Sequence, residues 1–241
     1  SNNNNNNNHM KMGNDNNNKY LYDIYMKYLY KLMYAAARSR PDILATCVYL
    51  TTKISNVDEI CSKLLYHLLG YIKGTLSYVL RLCKDEPCHH AMTLSAYADA
   101  GYALHDNGRS HSGYIAYIHD AIIILKSEKQ KLVTLSSTEA EIEASVNVIK
   151  RMLNMKLMLQ ELNIPVSSTI ILYQDNASAI TIMRNGEGYC GKSRFMRVRY
   201  NFIAELVQNN ELIIEFCPTE TMRADLLSKP HVGTTFNVLR D

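Results

Sequence analysis

Leu94-Ser95-Ala96-Tyr97-Ala98-Asp99-Ala100-Gly101 is the stretch on which the fold turns. An apolar run too short for a helix reads as a strand over residues 94–98, and it finishes in a carboxylate followed by a glycine turn. Two more short strands follow at 113–118 and 121–126, joined by turns containing Gly, Asn and Asp, which gives an antiparallel meander. Thr138 then opens a helical stretch to about 162, too long for a strand, and Pro165 stops it. An apolar strand at 169–173, helices at 177–184 and 193–207, a fifth strand at 211–217 and a closing helix at 222–229 complete the pattern. Hairpin strands followed by a crossover helix predict an α/β fold: a five-stranded mixed sheet, three antiparallel strands and then two more, flanked by helices.

Upstream of residue 90 the pattern differs. Apolar positions recur at three and four in Tyr28, Leu32 and Ala35, then Ile43, Cys47, Leu50 and Ile54, then Ile60, Leu64, Leu65, Leu68, Leu69 and Ile72. Three helices are expected, with Pro41 at the start of the second and Asn56-Val57-Asp58 opening the third, and then a strand at 76–82. Asp85-Glu86-Pro87 marks the boundary. Residues 1–18, almost all Asn, bury nothing and are expected to be disordered, and 231–241 are expected to form a loose tail. The chain thus divides into 1–18, a helical segment 19–90, a mixed-sheet domain 91–230 and the tail.

With 47% hydrophobic residues among 241 there is ample material for a core, and a net charge of +3 permits contact with a polyanion without demanding it. Cys47, Cys61, Cys83, Cys88, Cys190 and Cys217 form neither a C-x-x-C pair nor a zinc spacing, so reduced thiols in a cytoplasmic protein are expected. The apolar runs are too short to span a bilayer, and no membrane role is expected.

Four acids stand at strand ends or helix starts: Asp99, Glu141, Asp175 and Asp225. Each has an ordinary reading beside a catalytic one. Asp99 suits a turn. Glu141 stands at capping-box spacing from Thr138. Asp175 suits a helix N-cap, and Asp225 the positive end of a helix. The ordinary readings leave their shared placement unexplained, whereas phosphodiester hydrolysis with two divalent ions roughly 4 Å apart needs several hard oxygen ligands at one point.

Ala-Tyr-Ala-Asp-Ala-Gly at 96–101, Arg-Ser-His-Ser-Gly-Tyr at 109–114, and the segments 126–130, 135–141, 173–180 and 224–230, taken in order, resemble the RNase H domain of copia-type, yeast-type LTR-retrotransposon Pol polyproteins. The resemblance covers about 91–230. Tyr-Lys-Leu-Met-Tyr at 30–34, Arg-Ser-Arg-Pro-Asp-Ile at 38–43 and Tyr-Ile-Lys-Gly-Thr at 71–75 are similar to the segment connecting polymerase to RNase H in those polyproteins. The resemblance implies an RNase H-like fold and a metal-binding tetrad of Asp99, Glu141, Asp175 and Asp225. Glu141 is preferred to Glu139 because Glu141-Ile142-Glu143-Ala144 matches the wider family's Glu-x-x-Ala register. It further implies two Mg²⁺ ions, with Mn²⁺ as substitute, cleavage of the RNA strand of RNA/DNA hybrids, a polymerase domain in the same polyprotein as partner, and residence in virus-like particles. Acids so close repel, so raised pKa values or weak folding of the metal-free site are expected.

Where many copia-type chains carry His and Asp, this one has the basic run Lys192-Ser193-Arg194-Phe195-Met196-Arg197-Val198-Arg199. Lys192, Arg194, Arg197 and Arg199 are candidate phosphate contacts, or else one solvated helix face. Glu215 stands where some RNases H carry a mobile His, and no helper histidine is assigned. Tyr20, Tyr22, Tyr25, Tyr28, Tyr30 and Tyr34 suit packing or docking to a polymerase better than base stacking. Tyr-x-Asp-Asp, Asp-Ser/Thr-Gly and His/Cys zinc motifs are absent from these residues. An integrase-like nuclease ends its acid set in Glu, not Asp. The remaining alternative is a catalytically inactive or domesticated module that keeps the fold for binding.

Overall fold

The structure of the protein, a computed structural model, describes residues 6–80, 91–186, 194–231 and 233–240. The chain forms two compact units, residues 1–79 and 80–241.

The first unit is helical: α1 (Asn6–Arg38), α2 (Leu44–Thr51) and α3 (Glu59–Gly74), with a 3-10 turn at Pro41–Ile43. α1 starts inside the Asn-rich segment expected to be disordered, although its first buried described side chain is Tyr25. Once a packed face nucleates a helix, each further residue adds one hydrogen bond, so the helix can run on past that face. The buried face of α1 is Tyr25, Leu29, Leu32 and Ala36, whereas Tyr28 lies exposed. The three-and-four rhythm was right but the helix is turned, because tyrosine suits either face. Asp58 caps α3, accepting a hydrogen bond of 2.7 Å from the Cys61 amide.

Arg40 ties this unit together. Its guanidinium donates to both carboxylate oxygens of Asp42 (3.0 and 2.7 Å), to the Thr75 carbonyl (3.1 Å) and to the Thr75 hydroxyl (2.7 Å). It also lies over the rings of Tyr71 and Tyr78, while the Tyr71 hydroxyl donates to Asp42 at 2.7 Å. That clamp explains one failed expectation. Residues 76–80 form a turn and an irregular segment instead of a strand; 81–82 lie outside the described residues. The clamp bends the chain at Thr75, and Leu76 and Val79 stay exposed, with no strand paired to them among the described residues.

The second unit holds β1 (Met92–Gly101), β2 (His111–Ile118), β3 (Ala121–Lys129), β4 (Val166–Gln174) and β5 (Leu212–Phe216) in one sheet of order β3-β2-β1-β4-β5. β1 pairs antiparallel with β2 and parallel with β4, and β5 is parallel to β4. This is the expected RNase H-like sheet. The helices are α4 (Ser137–Glu161), α5 (Ala177–Asn185), α6 (Arg194–Gln208), α7 (Asp225–Ser228) and α8 (Gly233–Arg240). α8 occupies most of the segment expected to be a tail.

Alternation decides which face is which. Leu94, Ala96, Ala98 and Ala100 of β1 enter the core with Ala140, Ala144, Val148 and Met152 of α4. Small residues on both sides let the long helix lie close to the central strand. The opposite face carries Tyr97, stacked on Tyr173 at 4.5 Å between ring centroids, and Arg223 lies over Tyr97 and Tyr117. The closing helix is shorter than expected, one turn at Asp225–Ser228 after a 3-10 turn at Thr219–Thr221, because its backbone is pressed onto the sheet. A Cβ on Gly113 of β2 would stand 2.5 Å from the Ser228 amide nitrogen and 2.6 Å from the Ala224 carbonyl oxygen, so only glycine admits α7 there.

Candidate active site

Strand register brings the first two acids together. Tyr97 of β1 pairs with Tyr173 of β4 in the parallel ladder, so Asp99 and Asp175, each two residues further on, emerge at the same end of the sheet. Glu141 arrives from the first turn of α4. The ligand oxygens of Asp99, Glu141 and Asp175 all lie within 4.8 Å of one another. Asp225 is not part of that trio. It is joined to it through Lys229, whose ammonium donates to Asp99 (3.2 Å) and to Asp225 (2.8 Å).

The ordinary readings of these acids are taken up by their neighbours. Ser136 caps α4, accepting from the Glu139 amide at 3.2 Å, and the Glu139 carboxylate accepts from the Leu135 amide at 2.8 Å. Glu139, not Glu141, therefore does the capping. Asn176, not Asp175, caps α5, accepting from the Ala179 amide at 3.0 Å.

Three of the acids are nearly inaccessible: Asp99, Glu141 and Asp225 are 1%, 5% and 4% exposed. Burial pushes the Asp99 carboxyl up to about 6, opposed by Lys229 and the Ser228 hydroxyl and helped by Asp225 and Asp175. Burial, then the charges of Asp99 and Asp175, hold Glu141 well above the usual carboxylate range. Burial by itself lowers the Lys229 ammonium, but the carboxylates of Asp99 and Asp225 outweigh it and raise it. Such a set of hard carboxylates, short of positive charge, suits divalent cations.

The sequence reading missed five residues around these acids. Gln174, fully buried, accepts from the amides of Asp175 (2.8 Å) and Asn176 (3.1 Å) and donates to Glu141 and Ser145 (both 3.3 Å), so one side chain orients two acids. The Ser228 hydroxyl donates to Asp99, and Lys229 bridges as described. His231 places Nε2 3.1 Å from an Asp225 carboxylate oxygen. Ser228, Lys229 and His231 follow Asp225 closely in sequence, a signal that nearness to an acid offers only once the turn of α7 is known. The Thr219 hydroxyl also donates to Asp175, at 3.0 Å.

The basic run divides. Lys192 lies outside the described residues, and Arg194 begins α6. Arg197 is exposed. Arg199 forms an ion pair with Glu143, joining α6 to α4, so its charge already serves packing. Of the N-terminal tyrosines, Tyr25 is buried and donates to the Leu50 carbonyl at 3.0 Å, while Tyr20, Tyr22, Tyr28, Tyr30 and Tyr34 are exposed. Among the described residues no helix is long and apolar enough to cross a membrane, and Cys47, Cys61 and Cys217 are free and buried.

No family model matches the chain. Among solved structures it is similar to the N-terminal RNase H domain of a Mycobacterium tuberculosis protein, at TM-score 0.43 and 14% identity over 57% of this chain and 91% of that one. It is also similar to an RNase H1 from compost in complex with an RNA/DNA hybrid, at TM-score 0.41 and 19% identity over 56% and 93%. In sequence it is 31% identical over 87% of its length to the retrovirus-related Pol polyprotein of transposon TNT 1-94 from Nicotiana tabacum, and 31% identical over 83% to that of transposon RE1 from Arabidopsis thaliana. A truncated Ty1-A Gag-Pol polyprotein from Saccharomyces cerevisiae is 29% identical over 72%. The chain spans only 15%, 13% and 14% of those three proteins. With its acids gathered on the sheet and its likeness running through most of its length, the chain is a homologue of one segment of the Pol polyproteins of copia-type retrotransposons.

Proposed function

We propose that the second unit is a ribonuclease H that cuts the RNA strand of RNA/DNA hybrids by two-metal hydrolysis, with Asp99, Glu141, Asp175 and Asp225 holding Mg²⁺, or Mn²⁺ in its place. The observation that carries the reading is the convergence of Asp99, Glu141 and Asp175 within 4.8 Å, with Asp225 linked to them through one ammonium. The bound ions supply Lewis acidity and the positive charge that the buried acids lack.

The chain's own residues prepare that centre. Gln174 fixes the positions of Glu141 and Asp175, and Thr219 holds the second oxygen of Asp175. The four carboxylates sit on two strand ends and two helix starts of a packed sheet, which fixes them better than loops would. In the reaction a water oxygen bonds to phosphorus and the bond to the 3′ oxygen breaks, leaving a 5′-phosphate and a 3′-hydroxyl. Strand choice comes from duplex shape and 2′-hydroxyl contacts. Among the described side chains of the basic run, Arg197, exposed on α6, can meet a backbone phosphate, beside the candidates Lys192 and Arg194. As a segment of a Pol polyprotein the unit works beside a polymerase domain, in a cytoplasmic virus-like particle, and the exposed tyrosines of α1 offer that polymerase a surface.

The test is incubation with a labelled hybrid in Mg²⁺ or Mn²⁺, beside Asp99→Asn/Asp175→Asn and beside duplex DNA and duplex RNA. Cleavage confined to the hybrid's RNA strand and lost in the double variant is expected. A folded chain that cuts with neither metal would overturn the assignment and favour a binding module.

A further inference from the structure

The two halves of the acid cluster are unequal. On one side, Asp99, Glu141 and Asp175 turn oxygens toward one another. On the other, every carboxylate oxygen of Asp99 and Asp225 already faces a donor of the chain. Lys229 Nζ takes Oδ1 of Asp99 at 3.2 Å and Oδ1 of Asp225 at 2.8 Å. The Ser228 hydroxyl takes the remaining oxygen of Asp99, and His231 Nε2 stands 3.1 Å from the remaining oxygen of Asp225. The ammonium thus lies in the space between Asp99 and Asp225 that a cation shared by these two acids would enter.

The ammonium is also built to move. Lys229 stands at the C-terminal end of α7, and its side chain is 35% exposed while the two carboxylates it bridges are 1% and 6% exposed. A four-carbon stem with an open flank can swing its charge into solvent or toward a phosphate, whereas the acids cannot follow it.

We propose that Lys229 is a built-in counter-cation that fills the Asp99/Asp225 half of the centre in the metal-free chain and is displaced when a divalent ion enters there. The inference rests on the acids being metal ligands. It makes the two ions unequal: the ion on the Glu141/Asp175 side meets the neutral donors Gln174 and Thr219 on those two acids, and the ion on the Asp225 side binds against an ammonium already in place. One internal positive charge also offsets part of the acids' mutual repulsion before any metal binds.

The experiment is calorimetric titration of the full chain with Mn²⁺ and no nucleic acid, on wild type, Lys229→Met and Lys229→Arg, with thermal melts of the metal-free proteins. Wild type is expected to show a tight and a weak class of site. Lys229→Met is expected to tighten the weak class by about tenfold, from the loss of a like charge within a few ångströms, and to leave the tight class nearly unchanged. Its metal-free melting temperature falls and recovers with Mn²⁺, and Lys229→Arg keeps the wild-type pattern. A residue that merely braced the fold would weaken both classes when removed. If Lys229→Met does not fold without metal, the Mn²⁺ concentration at which it refolds gives the same affinity. Unchanged or weaker binding in Lys229→Met overturns the counter-cation, whereas failure of wild type to bind Mn²⁺ overturns the metal-site reading beneath it.

Discussion

Gly113 stands directly opposite Asp99 in the antiparallel β1–β2 ladder, and the backbone of α7 rests on it. Paired residues of a ladder share a face, so the missing side chain opens space beside the acid, and the backbone of Leu227 and Ser228 fills it, on the short helix that begins with Asp225. The distance between the first and last acids is thereby set by a glycine in neither of their elements.

Gly113→Ala tests that relationship. The added methyl meets backbone atoms of Ala224, Leu227 and Ser228 at 2.5–2.7 Å, and backbone cannot rotate away as a flexible side chain can. α7 has to lift. The expected cost is about 1–3 kcal/mol in thermal unfolding, as for other overpacked sites, with the sheet signal in circular dichroism retained. Hybrid cleavage is expected to fall on the order of 100-fold, since an acid displaced by about 1 Å is enough for that. Undiminished cleavage would mean that Asp225 does not depend on α7 lying flat.

The five strands of the sheet were legible in chain order because alternation in 94–101 and the apolar run at 169–173 read as strands, whereas the sheet order β3-β2-β1-β4-β5 came only with the structure. The acids were legible as candidates because all four fall where an element begins or ends, and the structure gathers three of them, Asp99, Glu141 and Asp175. Other features were not. Whether Glu139 or Glu141 caps α4 depends on which of Ser136, Ser137 and Thr138 starts the helix, and three consecutive capping residues hide the answer. Gln174 looks like any polar strand end until register puts Ser145 and Glu141 within its reach. Lys229 reads as an ordinary basic residue at the last turn of a helix, and only the packing of α7 on Gly113 turns it inward. Tyr25 and Tyr28 of α1 are indistinguishable by residue type, so composition could not say which is buried.

The division of labour at the start of α4 gives a second prediction. Glu139→Ala removes the bond to the Leu135 amide and is expected to cost about 0.5–2 kcal/mol, as other cap losses do, while Mn²⁺ binding and cleavage persist. Glu141→Gln is expected to do the reverse. It removes a buried ionisable carboxyl from beside Asp99 and Asp175, so the metal-free chain melts higher at any pH where that carboxyl would ionise, while cleavage is lost. Equal losses of activity in the two variants would contradict the assignment of Glu141 as ligand.

In the first unit the Arg40–Asp42 pair is buried on both sides, with side chains 10% and 6% exposed. Asp42→Asn leaves the guanidinium without its charge partner and weakens the Tyr71 contact, and a loss of about 3–5 kcal/mol is expected in calorimetric unfolding of the full chain. The double variant Arg40→Met/Asp42→Leu is expected to lose less than the single one, because no uncompensated charge remains. A larger loss in the double variant would show that the clamp's bonds to Thr75 matter more than its charge balance.

The buried acids also make metal-free stability depend on pH in a definite direction. Asp99 titrates near 6 in the folded chain and at an ordinary carboxylate value when unfolded, so the folded chain holds its proton more tightly. Its contribution is complete below about pH 4 and is lost as pH rises through 6, about 3 kcal/mol in all, and Glu141 adds in the same direction. His111, pushed down to about 4 by burial and then by His105, opposes this: its share is present above about 6.5 and is lost as pH falls toward 4. Melting curves of wild type and Asp99→Asn across pH 4–7 separate the two effects, since both proteins carry His111. Wild type is expected to lose stability relative to the variant as pH rises, and Mn²⁺ is expected to cancel that relative loss above pH 6, where Asp99 is charged and ready to bind it. A difference between the two proteins that stays flat with pH would show that Asp99 is charged throughout and that Lys229 already neutralises it.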